Sequence, residues 1–298
     1  MRLGDCGKTN LHTYSDKEKW SLIRYLDTGS ITEGRIDEIQ TLYPGVDKIP
    51  SRARRKASVG DILFSTVRPN QKHYGIIEAG TENLLVSTGF TVVTVDTTIA
   101  DPYFIYYYLT QSSVIESLQA IAEQSTSTYP SIKPSDIEDI ELDLPELETQ
   151  KKIGSTLRML DRKIALNEEI NDNLEQQAQS YFQELFVDNA DPEWTTGTIS
   201  DLGTVVGGST PSKAKPEYYT ESGIAWITPK DLSNNKSKFV SHGENDITEL
   251  GLRNSSASIM PEGTVLFSSR APIGYIAIAA GEVTTNQGFK SVVPKPEI

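Results

Sequence analysis

From Thr149 to Val187 the chain runs for 39 residues without a proline and with a single glycine, Gly154. Within it Ile153, Leu157, Leu160, Ile164, Asn167, Asn171, Leu174, Ala178, Tyr181 and Leu185 follow one another at alternating steps of four and three. That alternation is a heptad seam, and a helix carrying it wants a partner along its whole length. At 1.5 Å per residue it predicts a rod of roughly 58 Å, about twice the diameter of a small domain. A helix beyond about 25 residues is a spacer or coiled coil more often than the core helix of one domain. Leu166 and Ile170 offer a second apolar edge beside Asn167 and Asn171.

The rod must separate something, and 298 residues with 37% hydrophobic content suffice for about two ordinary cores. A single cysteine, Cys6, excludes a disulfide framework and a cysteine-built zinc cluster. The polar MRLGDCGKTN start has no signal-peptide core, and apolar runs such as Tyr275–Ala280 are strand-sized, so a cytoplasmic chain with no membrane span is expected. Evenly spread, the net charge of −13 would argue against nucleic acid. It is unevenly spread: residues 1–135 carry 14 Lys+Arg against 15 Asp+Glu, residues 136–198 carry 5 against 16, and residues 199–298 carry 9 against 10. The acidity belongs to the rod and its approach, and near-neutral flanks can still present a basic face.

In chain order, WSLIRYLD (20–27) reads as a strand and TGSITEGR (28–35) as a loop. SRARRK (51–56) is a cationic loop, GDILFST (60–66) a turn and a buried strand, and Gln71–Tyr74 a polar, cationic loop. STGF (87–90) leads into the strand TVVTV (91–95). Tyr103–Leu118 reads as one helical stretch with Phe104, Tyr107, Tyr108 and Leu109 on one side. QSTSTYPS (124–131) reads as a turn, and IKPSDIEDIELDLP (132–145) as a short helix with an extended exit. Strands mixed with helices predict an α/β or α+β domain. After Val187, DNADPEWTTG is a linker, and then the pattern returns. GDILFSTVRP (60–69) is echoed by GTVLFSSRAP (263–272), and STGF (87–90) by NQGF (286–289). Upstream, WSLIRYLD corresponds loosely with IAWITPKDL (224–232). A period near 200 residues predicts a duplicated domain whose second copy stops early, without a helix of its own like Thr149–Val187.

Catalytic signatures are absent from the sequence. There is no GxxxxGK[ST] and no GxGxxG after a strand. The aromatic-flanked Asn/Asp-Pro-Pro tetrapeptide of amino-methyltransferases is missing, and no lysine has a glutamate two residues before it, as metal-dependent nucleases require. His12, His73 and His242 lack ligand spacing. No catalytic residue and no metal ligand is expected. What remains suits binding. Arg52, Arg54, Arg55 and Lys56 fit either a phosphate backbone or a solvated loop. Arg68 and Arg270, following matched strands, fit either a guanine edge or a structural carboxylate partner. Asn286 and Gln287 fit either an adenine or the closing of a turn. Lys72, His73, Lys230 and Arg253 complete the candidate DNA-binding set. The seam residues Ile153, Leu157, Leu160, Ile164, Leu174, Tyr181 and Leu185 form the candidate subunit-contact face.

With GDILFS/GTVLFS, STGF/NQGF, the exit LDLPELETQKKIGSTLRMLDRKI and the following NLEQQAQSYFQELF in this order, the chain resembles the specificity subunit of type I restriction-modification systems over essentially its full length. The resemblance implies two α/β (α+β) target recognition domains joined by a long coiled-coil-type helix: residues 1–148, a spacer helix at 149–188, and a second domain at 199–298, incomplete at its C-terminus. It implies a non-catalytic chain in which each domain reads one half of a split site in double-stranded DNA. Methyltransferase subunits would bind S-adenosylmethionine, and a motor and restriction subunit ATP and Mg, so no cofactor is expected on this chain. The family's second helix, which pairs antiparallel with the first, is not in the sequence, which leaves self-association or a partner subunit to cover the seam. Because the acidic rod would also suit a coiled-coil scaffold with protein-binding ends, that class stands as the alternative.

Overall fold

The protein, a computed structural model, is described for residues 1–125, 129–235, 237–270 and 272–296. Residues 126–128, the middle of the expected Ser/Thr-rich turn, lie outside the described residues. The chain divides into two units, Met1–Phe182 and Gln183–Ile298.

Unit 1 contains α1 (Leu3–Cys6) and ten strands: β1 (Gly7–Thr9), β2 (Ile23–Leu26), β3 (Ile31–Thr32), β4 (Arg35–Ile36), β5 (Gln40–Leu42), β6 (Ala53–Lys56), β7 (Ile62–Ser65), β8 (Tyr74–Ile76), β9 (Leu84–Ser87) and β10 (Phe90–Val95). Helices α2 (Pro102–Leu109), α3 (Ser112–Glu123), α4 (Pro134–Glu138) and α5 (Leu147–Gln183) follow. One sheet is antiparallel throughout, in the order β1-β10-β7-β8, with Gly7 opposite Val95, Phe90 opposite Ser65 and Ile62 opposite Ile76. A second runs β5-β2-β9-β6, with β2 and β9 parallel, and β3 and β4 pair as a hairpin.

The period of two explains why β7 reads as an unbroken apolar run. Ile62 and Phe64 pack with Val93, Val95, Ile105, Leu109, Ile115 and Leu118 under α2 and α3. Leu63 turns the opposite way, into a cluster with Leu26, Leu84, Val86, Phe90 and Val92. A strand buried on both faces has no polar side to show. Before it, Gly60 takes φ +90°, and Gly263 repeats this at φ +82°, a region that favours glycine.

Four expectations need correction. The helical stretch 103–118 is two helices, because Gln111 is extended (φ −63°, ψ 140°) before Ser112 and Ser113, residues that favour helix starts. The fully buried face of α2 is Ile105, Tyr106 and Leu109, while Phe104, Tyr107 and Tyr108 are only partly buried. SRARRK is not a loop: Ala53–Lys56 is a strand paired with β9. The strand expected at 20–27 is confined to β2, and Trp20 instead packs its ring 4.7 Å from that of Tyr14.

The long helix holds as one element of 37 residues, closed by a wider π-type turn at Glu184–Asp188. Gln150, 1% exposed, fixes its start, accepting from Asp101 N at 3.0 Å and donating to Pro145 O at 2.8 Å. Gly154 is buried one turn later. The heptad seam faces elsewhere: Ile153, Leu160, Ile164, Leu174, Tyr181 and Leu185 are exposed and Leu157 is half-buried. No helix among the described residues is long and apolar enough to cross a membrane.

Unit 2 contains α6 (Ile199–Leu202), β11 (Gly203–Gly207), β12 (Tyr219–Thr220), β13 (Ile224–Ile227), α7 (Pro229–Asn234), β14 (Phe239–Val240), β15 (Asn245–Ile247), α8 (Glu249–Arg253), β16 (Val265–Phe267), β17 (Ile276–Ala279), β18 (Thr284–Thr285) and β19 (Lys290–Pro294). Its first sheet, β11-β19-β16-β17-β14, repeats the order β1-β10-β7-β8 and adds β14. Its second, β12-β15-β13-β18, keeps the parallel pair, β13 beside β18 as β2 lies beside β9. The sequence echo is thus an echo of topology. The fold is mixed helix and sheet in two copies, with the long helix between them in the chain.

Candidate nucleic-acid interface

The repeated motifs build the same clamped turn in both units. In Ser87-Thr88-Gly89 the amide of Gly89 donates to Ser87 Oγ at 3.3 Å. In Asn286-Gln287-Gly288 the amide of Gly288 donates to Asn286 Oδ1 at 2.8 Å. The carbonyl of Gly89 accepts from Thr66 N at 2.8 Å and Thr66 Oγ1 at 2.9 Å. The carbonyl of Gly288 accepts from Ser269 N at 2.7 Å and Ser269 Oγ at 3.2 Å. Neither glycine has room for a side chain, since an added Cβ would stand 2.8 Å from Thr28 Cγ2 at Gly89 and 2.9 Å from Pro229 Cγ at Gly288. GDILFST and STGF recur because they clamp each other.

An arginine stands beside each clamp. Arg68, two residues past Thr66, adopts φ +48° and lays its guanidinium 5.1 Å over the ring of Tyr129. Arg270, the residue after Ser269, is exposed. Among the described residues neither is ion-paired to a carboxylate.

In unit 2 the turn opens on a cleft of about 520 Å³ that gathers Arg270, Asn286, Gln287 and Lys230 with Thr210, Lys213 and Trp226. Trp226 is buried, its Nε1 donating to Ser209 O at 3.0 Å. Asp231 caps the start of α7, taking Thr228 N at 2.7 Å, Thr228 Oγ1 at 2.6 Å and Glu244 N at 2.9 Å, so its charge is committed to the fold. Lys230 pairs with Glu244 at 2.7 Å, and that hydrogen bond and charge push its ammonium above the ordinary lysine value. Lys213 and Arg270 are the cations left facing outward. Thr210, Lys213 and Trp226 were not legible as site residues: only the strand crossing brings residue 210 to residue 287, and Trp226, at the register position that Tyr25 holds in unit 1, reads as one more residue of a strand.

The other candidates are dispersed. Arg253 ends α8, exposed and outside the cleft. Lys72 pairs with Glu33 at 2.5 Å, which raises its pKa, and His73 donates from Nδ1 to Ile31 O at 2.7 Å, so the β3–β4 hairpin holds both. The run at 51–56 does not form one phosphate-facing set, because a strand sends alternate residues to opposite faces. Arg52 is exposed before β6, and Arg54 lines a pocket with Tyr14 and Trp20. Arg55 is half-buried, its Nη1 has no partner among the described residues, and burial lowers its pKa. Lys56 lies 5.2 Å over Trp20 and is paired to Glu18 at 2.5 Å.

A groove of about 710 Å³ runs in unit 1 between the β3–β4 hairpin, α2 and α5. Glu78 accepts from Arg158 Nε at 2.9 Å, Arg162 Nη2 at 3.3 Å and Tyr103 O–H at 3.2 Å, while Tyr107 donates to Asp161 at 2.6 Å and Arg35 pairs with Glu168. Burial works to raise the Glu78 carboxyl, but the hydrogen bonds and charges of Arg158 and Arg162 outweigh it and hold it below its ordinary value of 4.5. A lowered folded-state pKa contributes stability above 4.5 that is lost as pH falls through the folded value. Glu78→Gln is therefore expected to lower the stability of unit 1 modestly at neutral pH, by about 1 kcal/mol or less because the pair is partly solvated. The difference from the unsubstituted chain should shrink toward zero in melts run below pH 4.5.

The family model described as type I restriction modification DNA specificity domain matches residues 52–176 and 192–298. A type I restriction enzyme HindI specificity subunit of Haemophilus influenzae is 24% identical, over 99% of this chain and 79% of that one. The MjaIX specificity subunit of Methanocaldococcus jannaschii is 46% identical over 117 residues, 39% of this chain and 27% of that one. A crystal structure of a type I restriction-modification system S subunit from M. genitalium superposes with a TM-score of 0.57 at 16% identity, covering 100% of this chain and 73% of that one, a likeness of fold.

Proposed function

Because the chain belongs to the type I restriction modification DNA specificity domain family, we propose that it is the sequence-recognition subunit of a type I restriction-modification complex, each unit reading one half of a bipartite site in duplex DNA. The observation that carries this reading is the clamped turn built twice with an arginine beside it, one per unit. A reader of a split site needs the same scaffold twice with different outward residues. The chain itself is non-catalytic. In the cytoplasm it directs methyltransferase subunits, which carry S-adenosylmethionine, and a motor and restriction subunit, which carries ATP and Mg, to the site. The exposed seam on α5 is the surface for a subunit helix or a second copy.

The test is retention of the full chain on duplex DNA across a salt series. Binding should weaken linearly on a log–log plot, and Arg270→Ala should lower the slope by about 0.9 if Arg270 neutralises one phosphate. If retention is independent of salt, the alternative, a coiled-coil scaffold with protein-binding ends, takes over. The exposed seam and the acidity of residues 136–198 are the features that favour it.

A further inference from the structure

We infer that the base-reading side chain of each unit is the middle residue of the clamped turn, Thr88 in unit 1 and Gln287 in unit 2, and that Gln287 reads an adenine. This rests on the DNA-reading function proposed above and assigns its specificity to two positions.

The clamp eliminates its own flanks. Ser87 is buried with its Oγ on the amide of Gly89, Asn286 is half-buried with its Oδ1 turned onto the amide of Gly288, and Gly89 and Gly288 have no room for a side chain. The middle residues alone are exposed, and they differ, threonine in one unit and glutamine in the other. In both copies the first residue and the glycine turn inward to hold the turn, and the middle residue is the one it displays. Gln287 is also oriented: Thr210 Oγ1 hydrogen-bonds to its Oε1 from across the cleft. A carbonyl oxygen has two lone pairs, so Oε1 keeps one acceptor site and the amide nitrogen keeps both donors. One acceptor beside one donor matches the N6 donor and N7 acceptor of adenine, whereas guanine offers two acceptors and would face Oε1 with repulsion. Lys213 and Arg270 on the same cleft supply cations for the flanking phosphates. Thr88, beside Arg68, offers a hydroxyl and a methyl and governs one position of the other half-site.

The experiment is selection of bound sequences by the full chain from a duplex library. Gln287→Glu keeps the shape but replaces the donor with an acceptor, so one selected position should change from adenine to cytosine, whose N4 donates. Thr210→Val should weaken the same adenine preference, about 5- to 150-fold being the range of one bidentate contact. Thr88→Val should alter a position in the other half-site only. Thr210→Val and Thr88→Val change no charge, so for these two the salt dependence should stay as in the unsubstituted chain, and retained binding serves as the folding control. Sequences unchanged by all three variants, with binding retained, would overturn the assignment. If the unsubstituted chain shows neither sequence preference nor salt dependence, the DNA-reading function itself fails and the assignment with it.

Discussion

Phe289→Ala is expected to unfold unit 2 while unit 1 stays folded, with a loss of about 3–5 kcal/mol. Phe289 is 0% exposed and packs in a cluster with Ile227, Leu232, Val240, Met260, Leu266 and Val283. That cluster is the one hydrophobic core found in unit 2 among the described residues, whereas unit 1 has three. A domain's whole margin is commonly about 5–15 kcal/mol, so a unit with one core has little to spare. The matched residue, Phe90, is equally buried, but β10 lies between two clusters that both hold its strand. Limited proteolysis should therefore trim Phe289→Ala down to a fragment near Met1–Phe182. Digestion of both units at the same rate would contradict their independence.

Gly154→Leu is expected to lower the stability of unit 1 even though it improves the helix it sits in. Leucine favours a helix over glycine by nearly 1 kcal/mol. Against that, a Cβ at position 154 would stand 2.5 Å from Asp101 Oδ1, 2.9 Å from Phe104 N and 3.0 Å from Tyr103 Cβ. Two of these atoms belong to the cap of α2, where Asp101 Oδ1 accepts from Phe104 N at 2.9 Å. The backbone there cannot yield without breaking the cap, worth about 1 kcal/mol, on top of overpacking at about 1–3 kcal/mol. A melting curve should shift down while helical signal at low temperature is kept or increased. Amide exchange should quicken at Phe104. An unchanged Tm would mean that the start of α5 does not press on α2.

The same residue marks the boundary of what the sequence could tell. Gly154 reads as the weak point of a helix because propensity is a property of one residue in its own chain. Its value lies in the missing Cβ, and that is visible only once Asp101, some fifty positions earlier, is known to lie against it. Gln150 stood in the exit LDLPELETQKKI, but its three hydrogen bonds tie together residues 99, 101 and 145. Glu78 carried no signal at all, since a lone glutamate between turns becomes a clamp only when α5 brings Arg158 and Arg162 to it.

What the sequence determined by itself was whatever a short stretch of chain decides locally or displays twice. The 37-residue helix follows from absent prolines and an unbroken heptad, and the duplication follows from GDILFS/GTVLFS and STGF/NQGF. Long-range pairing decided the rest. SRARRK became a strand because β9 was there to pair with it, and the stretch at 103–118 broke because Gln111 is held extended between two helices. At the turns, Asn286 and Gln287 are equivalent amides on paper. Tertiary structure separated them, half-burying Asn286 with its Oδ1 on the amide of Gly288 and leaving Gln287 exposed against Thr210, because how much of a side chain a ligand can reach is set by its folded neighbours.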